Sequence, residues 1–253
     1  FVLSGGRGAV LYFGASLQLM IMTTISANLQ AVLARIAVAA RKSRRNPDDI
    51  SLLAVSKTWP ASAVREAAAA GQRSFGENYV QEGVEKAAEL ASLGLEWHFI
   101  GPLQSNKTRW VAEVFDWVHS VDRLKIAERL AAQRPDALPP LQVCLQVNVS
   151  GEDSKSGVPM AEVPLLARQL ASLPRLKLRG LMAIPAPLDD FVQQRQAFGL
   201  LHRIYRQLKR DGLTLDTLSM GMTHDLEAAI AEGATMVRVG TAIFGQRMLD
   251  NSG

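Results

Sequence analysis

The chain has 253 residues, 48% of them hydrophobic and 21% charged, which is the composition of an ordinary globular protein. Its net charge of +4 comes from scattered basic residues and one cluster at residues 41–45. That cluster ends an Ala-rich helical pattern without interleaved aromatic residues, so we do not expect a nucleic-acid surface. The single cysteine, Cys144, excludes an internal disulfide and a zinc cluster built from cysteines.

The first 21 residues differ from the rest of the chain. They are Gly-rich and then apolar, with Arg7 as their one charge, but they lack the basic start and clear cleavage site of a signal peptide. Met22 reads as a natural start just before a helical pattern. We therefore expect residues 1–21 to be an upstream extension or an artefact outside the fold, and residues 22–250 to form one domain. No other segment approaches a membrane span, and we expect a cytoplasmic protein.

Predicted helices and strands alternate from residue 24 onwards. A helical pattern over residues 24–41 comes first, and we expect this extra helix to cover the floor of a barrel. The predicted strands cover residues 50–56, 74–76, 96–100, 116–120, 141–149, 177–184, 214–220 and 235–239. The predicted helices between them cover residues 60–70, 79–91, 107–113, 123–133, 161–172, 189–210 and 225–232. Eight strands separated by helices predict an α/β fold, a single (β/α)8 TIM barrel.

Lys57 ends the first predicted strand, an apolar run of the kind that is buried on both faces of a parallel sheet. In a barrel the carboxyl ends of the strands meet at one mouth, where active sites are built. A lysine there can form a Schiff base with an aldehyde. Most lysines are solvated, so Lys57 alone would be read as an ordinary residue at a strand end.

The ends of the last two strands carry a pattern suited to a phosphate group. Gly221 and Gly240 allow backbone N–H groups to approach an anion, and Thr223 and Thr241 supply hydroxyl donors. Two ordinary glycine turns with capping hydroxyls would give the same residues. The pattern at neighbouring strands leaves a phosphate site and two such turns as open alternatives.

His98 lies in the third predicted strand and His119 in the fourth. Neither has metal-ligand spacing with cysteine or carboxylate residues, so we interpret both as packing or hydrogen-bonding residues and expect no metal. No Walker or dinucleotide fingerprint is present in the sequence.

Seven segments, taken in order, resemble the pyridoxal phosphate homeostasis family, also called the proline synthase co-transcribed family. They are AVSKT (54–58), FGEN (75–78), HFIGPLQSNK (98–107), KSG (155–157), RGLMAIP (179–185), SMGM (219–222) and RVGTAIFG (238–245). The resemblance runs from Met22 to about Arg247. It implies a barrel like the N-terminal domain of alanine racemase, in a protein that binds and delivers pyridoxal 5'-phosphate (PLP) more than it catalyses.

The resemblance also implies the residues of a cofactor site. Lys57 would hold PLP as a Schiff base, Arg238 would face the pyridine nitrogen, and Asn78 would lie beside the ring. The phosphate would be held by Ser219, Thr223, Gly240 and Thr241. The full set of predicted cofactor-binding residues is Lys57, Asn78, Ser219, Met222, Thr223, Arg238, Gly240 and Thr241. Without the resemblance, a structural salt bridge in the barrel mouth explains Arg238 equally well.

The chain departs from the family pattern at two places. Thr223 and His224 stand where relatives usually carry serine and then an acidic or small residue. Threonine keeps the hydroxyl, so we expect phosphate binding to survive, and we interpret His224 as solvated. Trp59 stands where many relatives carry a basic residue, which weakens the case for an auxiliary cofactor site there.

We expect a PLP carrier with a role in cofactor homeostasis or delivery and without strong catalytic turnover. One alternative is an amino-acid racemase, which needs a second base opposite Lys57. In barrel racemases a β-domain of a partner subunit supplies that base; we expect no such domain here, and Tyr79 is the one plausible substitute. The other alternative is an aldolase that uses Lys57 without a cofactor. The expected partners are PLP and PLP-dependent apoenzymes, with neither nucleic acid nor membrane, and the expected state is a monomer.

Overall fold

The computed structural model describes the backbone of residues 9–151 and 156–246, and the side chains of residues 24–151 and 156–246. Its strands are β1 Ser51–Val55, β2 Ser74–Glu77, β3 Glu96–Phe99, β4 Trp117–Val121, β5 Leu141–Asn148, β6 Val158–Pro159, β7 Leu176–Met182, β8 Thr217–Ser219 and β9 Met236–Val239. All of them pair in parallel. The pairings of β9 with β1 and of β4 with β5 close eight strands into a barrel, and the short β6 adds to β5 outside it. The predicted TIM barrel is confirmed.

Helices surround the barrel in the predicted order. They are α1 Ala9–Lys42, α2 Ala61–Ala69, α3 Val80–Glu89, α4 Thr108–Val114, α5 Leu124–Gln133, α6 Val163–Ser172, α7 Phe191–Arg210, α8 Leu226–Ala231 and α9 Thr241–Phe244. The one-turn α9 and the short β6 are absent from the sequence prediction because segments of four and two residues are too short to show a periodicity. Among the described residues, no helix combines the length and the hydropathy that crossing a membrane requires.

The position of α1 differs from the prediction. Its apolar stripe, which includes Ile25, Leu29 and Ile36, packs against α2, α8 and α9 on the side of the barrel, not across its floor. The reason is that β9 is followed only by the one-turn α9, which leaves the outer face of neighbouring strands to be covered by α1. The helix begins at Ala9, inside the segment expected to lie outside the fold. Residues 1–8 of that segment lie outside the described residues.

The barrel interior is polar and aromatic, whereas the large apolar core lies between the strands and the helices. Phe99 and Val118 belong to that outer core, so the residues that alternate with them, His98, Trp117 and His119, face inward. The rings of His98 and Trp117 stack with centroids 5.2 Å apart and planes 9° apart.

Cys144 lies in the same interior layer and is fully buried. Burial raises the pKa of its thiol to about 12, so the thiol stays protonated and acts as a packing group.

Candidate functional site

A cavity of about 230 Å³ opens at the carboxyl ends of the strands. Its wall is formed by Val55, Lys57, Asn78, Ile100, Ile184, Met222, Thr223, His224, Arg238, Gly240 and Thr241. A second space of about 400 Å³ adjoins it and shares Val55, Lys57, His224, Gly240 and Thr241. All the predicted site residues except Ser219 therefore line the same cavity.

Lys57 lies two residues after the end of β1, on the inward face that it shares with Val55. The next residue, Thr58, has a φ of +65°, in the left-handed region that β-branched residues rarely adopt. Such a conformation costs about 1–3 kcal/mol and persists only where surrounding contacts impose it. The turn after Lys57 is therefore strained, and its contacts explain how it is held.

A buried ion cluster behind the strand holds this turn. The Lys86 ammonium, on α3, donates hydrogen bonds to the carbonyl oxygen of Ser56, to Oε1 of Glu77 and to Oε1 of Glu82, each at 2.7 Å. Glu82 also accepts a hydrogen bond from the backbone N–H of Thr58, and Ser56 Oγ donates to Glu77 Oε1 at 2.6 Å. The cluster thus joins α3 to the backbone on both sides of Lys57.

The charges in this cluster are strongly desolvated. The side chains of Lys86 and Glu77 are 7% and 0% exposed. Burial raises the pKa of the Glu77 carboxyl, and the hydrogen-bonded Lys86 ammonium opposes that rise. Sequence reasoning missed Lys86, which looks like an ordinary surface lysine of an amphipathic helix. The available signal was Glu77, an acidic residue at the end of a buried strand.

Asn78 presents a free acceptor to the cavity. Its Oδ1 is buried and has no hydrogen-bond partner among the described residues. The loop after β3 fixes its backbone: a Cβ at Gly101 would come within 2.1 Å of the Asn78 carbonyl oxygen, so only glycine fits there. Asn78 is therefore held in place by tight backbone packing while its side chain remains available to a ligand.

The loops after β8 and β9 are held from outside by α1. Arg35 donates to the Thr223 carbonyl oxygen at 3.1 Å and forms a salt bridge with Glu227 at 2.9 Å. Asn28 donates to the Ile243 carbonyl oxygen at 3.0 Å. Helix α1 therefore fixes the loop that carries Thr223 and the one-turn α9, which begins at Thr241.

Arg238 lies at the base of the cavity and is 3% exposed. Its Nη1 donates to Ser219 Oγ at 2.8 Å and its Nη2 to the Ala183 carbonyl oxygen at 3.0 Å. Among the described residues Arg238 forms no salt bridge, so the alternative of a structural ion pair is not observed there. Burial lowers the pKa of its guanidinium to about 10, which leaves it charged at neutral pH.

Ser219 does not lie on the wall of the cavity. It is fully buried beneath Arg238, and its hydroxyl also lies 2.8 Å from Nδ1 of His119. Its inward direction on β8 takes it below the loop that carries Thr223. The predicted direct contact of Ser219 with a phosphate is therefore not favoured by its position. As interpreted from the sequence, His98 and His119 are buried hydrogen-bonding residues, with His98 Nδ1 and His119 Nε2 2.9 Å apart.

Comparisons with known proteins agree with this geometry. Residues 27–248 match the family described as alanine racemase, N-terminal domain. The pyridoxal phosphate homeostasis protein of Pseudomonas aeruginosa is 62% identical over 226 residues, which cover 89% of this chain and 97% of that protein. The Escherichia coli K12 protein of the same name is 58% identical over 229 residues, with coverages of 89% and 98%.

Solved structures give the same picture. PipY of Synechococcus elongatus, determined with PLP bound, aligns with a TM-score of 0.76 at 41% identity and covers 87% of this chain and 100% of that one. Alanine racemase from Corynebacterium glutamicum aligns with a TM-score of 0.63 at 18% identity, over 89% of this chain and 61% of that one. The second similarity is one of fold alone.

Proposed function

The chain belongs to the pyridoxal phosphate homeostasis protein family, and from that premise we propose that it binds PLP in the cavity at the barrel mouth. Its role is the homeostasis or delivery of PLP in the cytoplasm, with little or no catalytic turnover. The names of its relatives and the PLP-bound structure of PipY support this role.

The observation that carries the proposal is a lysine amine and a buried arginine at different depths of one cavity. Arg238 is the register partner of Leu53 on β1, whereas Lys57 stands four residues further towards the mouth. A flat ligand between them would meet the Lys57 amine at its outer end and the Arg238 hydrogen-bond donor at its inner end. PLP offers an aldehyde to the first and a ring nitrogen to the second.

The remaining wall residues fit the other groups of PLP. The unpartnered Asn78 Oδ1 can accept a hydrogen bond from the ring hydroxyl. Thr223, Gly240 and Thr241 lie together on the wall and would hold the phosphate through hydroxyl and backbone N–H donors. Met222, which is 39% exposed, would cover the ligand from the solvent side.

When bound, PLP supplies an aldehyde that reacts with amines and a ring that withdraws electrons from them. Lys57 would hold PLP through its amine, which is the group that can react with the aldehyde. Arg238, which keeps its charge at neutral pH, would donate a hydrogen bond to the ring nitrogen and would so keep a proton off that nitrogen. A ring without this proton stabilises a carbanion weakly, which supports a carrier over an enzyme.

The racemase alternative requires a second base, and Tyr79 is a weak candidate. It is 56% exposed, lies at the start of α3 and is not part of the cavity wall. The aldolase alternative assigns no ligand group to the buried Arg238 or to the unpartnered Oδ1 of Asn78. Both alternatives are outcomes of the experiments below.

The test uses the absorption spectrum of the purified protein with added PLP, followed by borohydride reduction and peptide mass analysis. We expect a visible band and PLP fixed to Lys57. Lys57→Ala should lose both, whereas Lys125→Ala, at an exposed lysine of α5, should keep both. A parent protein that stays colourless with PLP, yet is fixed by borohydride to a carbonyl substrate, would support the aldolase instead.

A second assay separates a carrier from an enzyme. The PLP-loaded protein is incubated with single amino acids, and the exchange of the α-proton with deuterium is followed by NMR. We expect exchange near the rate of free PLP, and transfer of PLP to an added PLP-dependent apoenzyme. Rapid exchange that Tyr79→Phe abolishes would support the racemase. Light scattering of the same sample tests the proposed monomer.

A further inference from the structure

Arg238 is joined to the opposite end of the barrel by an unbroken line of hydrogen bonds. Arg238 Nη1 lies 2.8 Å from Ser219 Oγ, which lies 2.8 Å from Nδ1 of His119. Nε2 of His119 lies 2.9 Å from Nδ1 of His98, and Nε2 of His98 lies 2.9 Å from Oε2 of Glu96. Glu96 is the first residue of β3, at the end of the strands away from the mouth.

We propose that these residues form a one-way hydrogen-bond relay that positions Arg238, and that Ser219, His119, His98 and Glu96 are positioning residues for the ring nitrogen of the ligand. The proposal rests on the proposed function only for the identity of that ligand as PLP. The relay consists of Arg238, Ser219, His119, His98 and Glu96.

The chemistry of the two ends sets the direction of the relay. Arginine can only donate, so Ser219 Oγ accepts from Arg238 and can use its own proton to donate to His119 Nδ1. His119 then carries its proton on Nε2 and donates to His98 Nδ1. His98 in turn carries its proton on Nε2 and donates to Glu96. In the proposed relay both rings therefore carry their proton on Nε2 and have the same tautomer.

The surroundings favour this arrangement at each step. Burial lowers the pKa of His119 well below its usual value, and the charge of the nearby Arg238 adds to the effect, so His119 is neutral. The hydrogen bond from His98 is the main cause that lowers the pKa of Glu96 to about 2, so Glu96 is ionised. Trp117 stacks on His98 and donates its Nε1–H to Glu96 at 3.0 Å. Ser74 Oγ also donates to Glu96, at 2.9 Å.

The relay has a consequence for what Arg238 can do. A carboxylate paired directly with Arg238 would occupy several of its donors, whereas Ser219 and the Ala183 carbonyl oxygen occupy one each. The nearest ionised group along the relay is Glu96, four hydrogen bonds away. The guanidinium is thus oriented at its base and keeps N–H groups for the cavity.

The first test examines the protein without cofactor, so it is independent of PLP binding. Nitrogen-15 NMR of the imidazole rings distinguishes the Nε2–H tautomer, the Nδ1–H tautomer and the charged ring. We expect the Nε2–H tautomer for both His98 and His119 at neutral pH, and a change at His119 in Ser219→Ala, where its Nδ1 loses its donor. A charged ring or an Nδ1–H tautomer in the parent protein would overturn the relay.

The second test is a double-mutant cycle on the dissociation constant for PLP, measured by fluorescence. Ser219→Ala and His119→Phe should each weaken PLP binding about tenfold, the size expected for one buried hydrogen bond. In the double variant we expect the same tenfold loss and not a hundredfold loss, because either change breaks the same line. Multiplying losses would contradict the proposal.

Two controls complete the design. Met182→Leu changes a fully buried residue of the same interior layer that takes no part in the relay, and it should leave the affinity unchanged. Ser219→Thr keeps the hydroxyl and should restore affinity and the His119 tautomer. A protein with the expected tautomers that fails to bind PLP would contradict the proposed function and leave the relay standing.

Discussion

Two buried cations, Lys86 and Arg238, serve the same cavity but are held in opposite ways. Lys86 lies outside the strands, and its ammonium donates three hydrogen bonds. Two go to carboxylates and one goes to a backbone carbonyl oxygen. Arg238 lies inside the barrel and, among the described residues, is hydrogen-bonded to no carboxylate. The proposed relay joins it to Glu96, and Asp225 acts on it only through its charge. A cation that must fix a backbone is paired closely. A cation that must offer hydrogen bonds to a ligand is oriented without being neutralised.

The largest expected effect comes from breaking the close pairing. Lys86→Met should lower the free energy of unfolding by about 3–5 kcal/mol, because it leaves the buried Glu77 carboxylate without a counter-ion. Urea unfolding measures the loss, and Lys125→Met is the control at an exposed lysine. A loss as small as that of the control would mean that the cluster does not hold the fold.

The pH dependence of the same variant has a definite sign. Burial already raises the pKa of Glu77 in the folded protein, and removing Lys86 raises it further. The folded variant then binds a proton more readily than the unfolded chain. The loss in its free energy of unfolding, relative to the parent protein, should therefore shrink as the pH falls and grow as the pH rises. The double variant Glu77→Gln with Lys86→Met removes both charges and should recover much of the loss.

A smaller effect tests whether the cluster imposes strain on the turn after Lys57. Thr58→Gly removes the strain of the left-handed conformation and should raise the free energy of unfolding by about 1 kcal/mol. PLP binding should weaken, because the backbone next to Lys57 becomes freer. Arg44→Gly changes an exposed residue with a φ of +55° that is not part of the cavity wall, so it should leave PLP binding unchanged. Equal effects of the two changes on binding would show that the strain at Thr58 has no role in the site.

The smallest expected effect concerns the far end of the relay. The pKa of Glu96 is lowered from 4.5 to about 2, so its contribution to stability is present above pH 4.5 and is lost as the pH falls towards 2. Its side chain is 46% exposed, and solvent screening limits the contribution to about 1 kcal/mol. Glu96→Gln should flatten acid unfolding in that range. An unchanged acid profile would mean that the charge of Glu96 does not contribute to stability.

The sequence predicted the barrel because each strand is a short apolar run followed by a helical pattern. It also predicted that Lys57 and Arg238 lie at the barrel mouth, since the end of a strand can be located from the sequence. It did not predict the Lys86 cluster, because the contact of α3 with the strand end depends on how the helix is rotated. Nor did it predict that Ser219 lies below Arg238, which depends on the level of β8 within the barrel.

The polar lining that contains the relay could have been predicted from a simple alternation. Glu96 and His98 alternate with Trp97 and Phe99 along β3, and Trp117 and His119 continue the pattern on β4. Polar residues at every second position of strands whose other residues are apolar face away from the apolar core. In a barrel that direction is the interior, so the same alternation predicts a polar lining. The order of hydrogen bonds within that lining required the structure.

The bonds from α1 to the last two loops also set an order of assembly. Asn28 and its partner Ile243 are 215 positions apart, and Arg35 and Thr223 are 188 apart. On the ribosome, the first helix is therefore made long before the strands and loops that it will hold. It lacks these tertiary contacts until nearly the whole barrel has been synthesised. The cavity can take its final shape only when α1 meets the segments that follow β8 and β9.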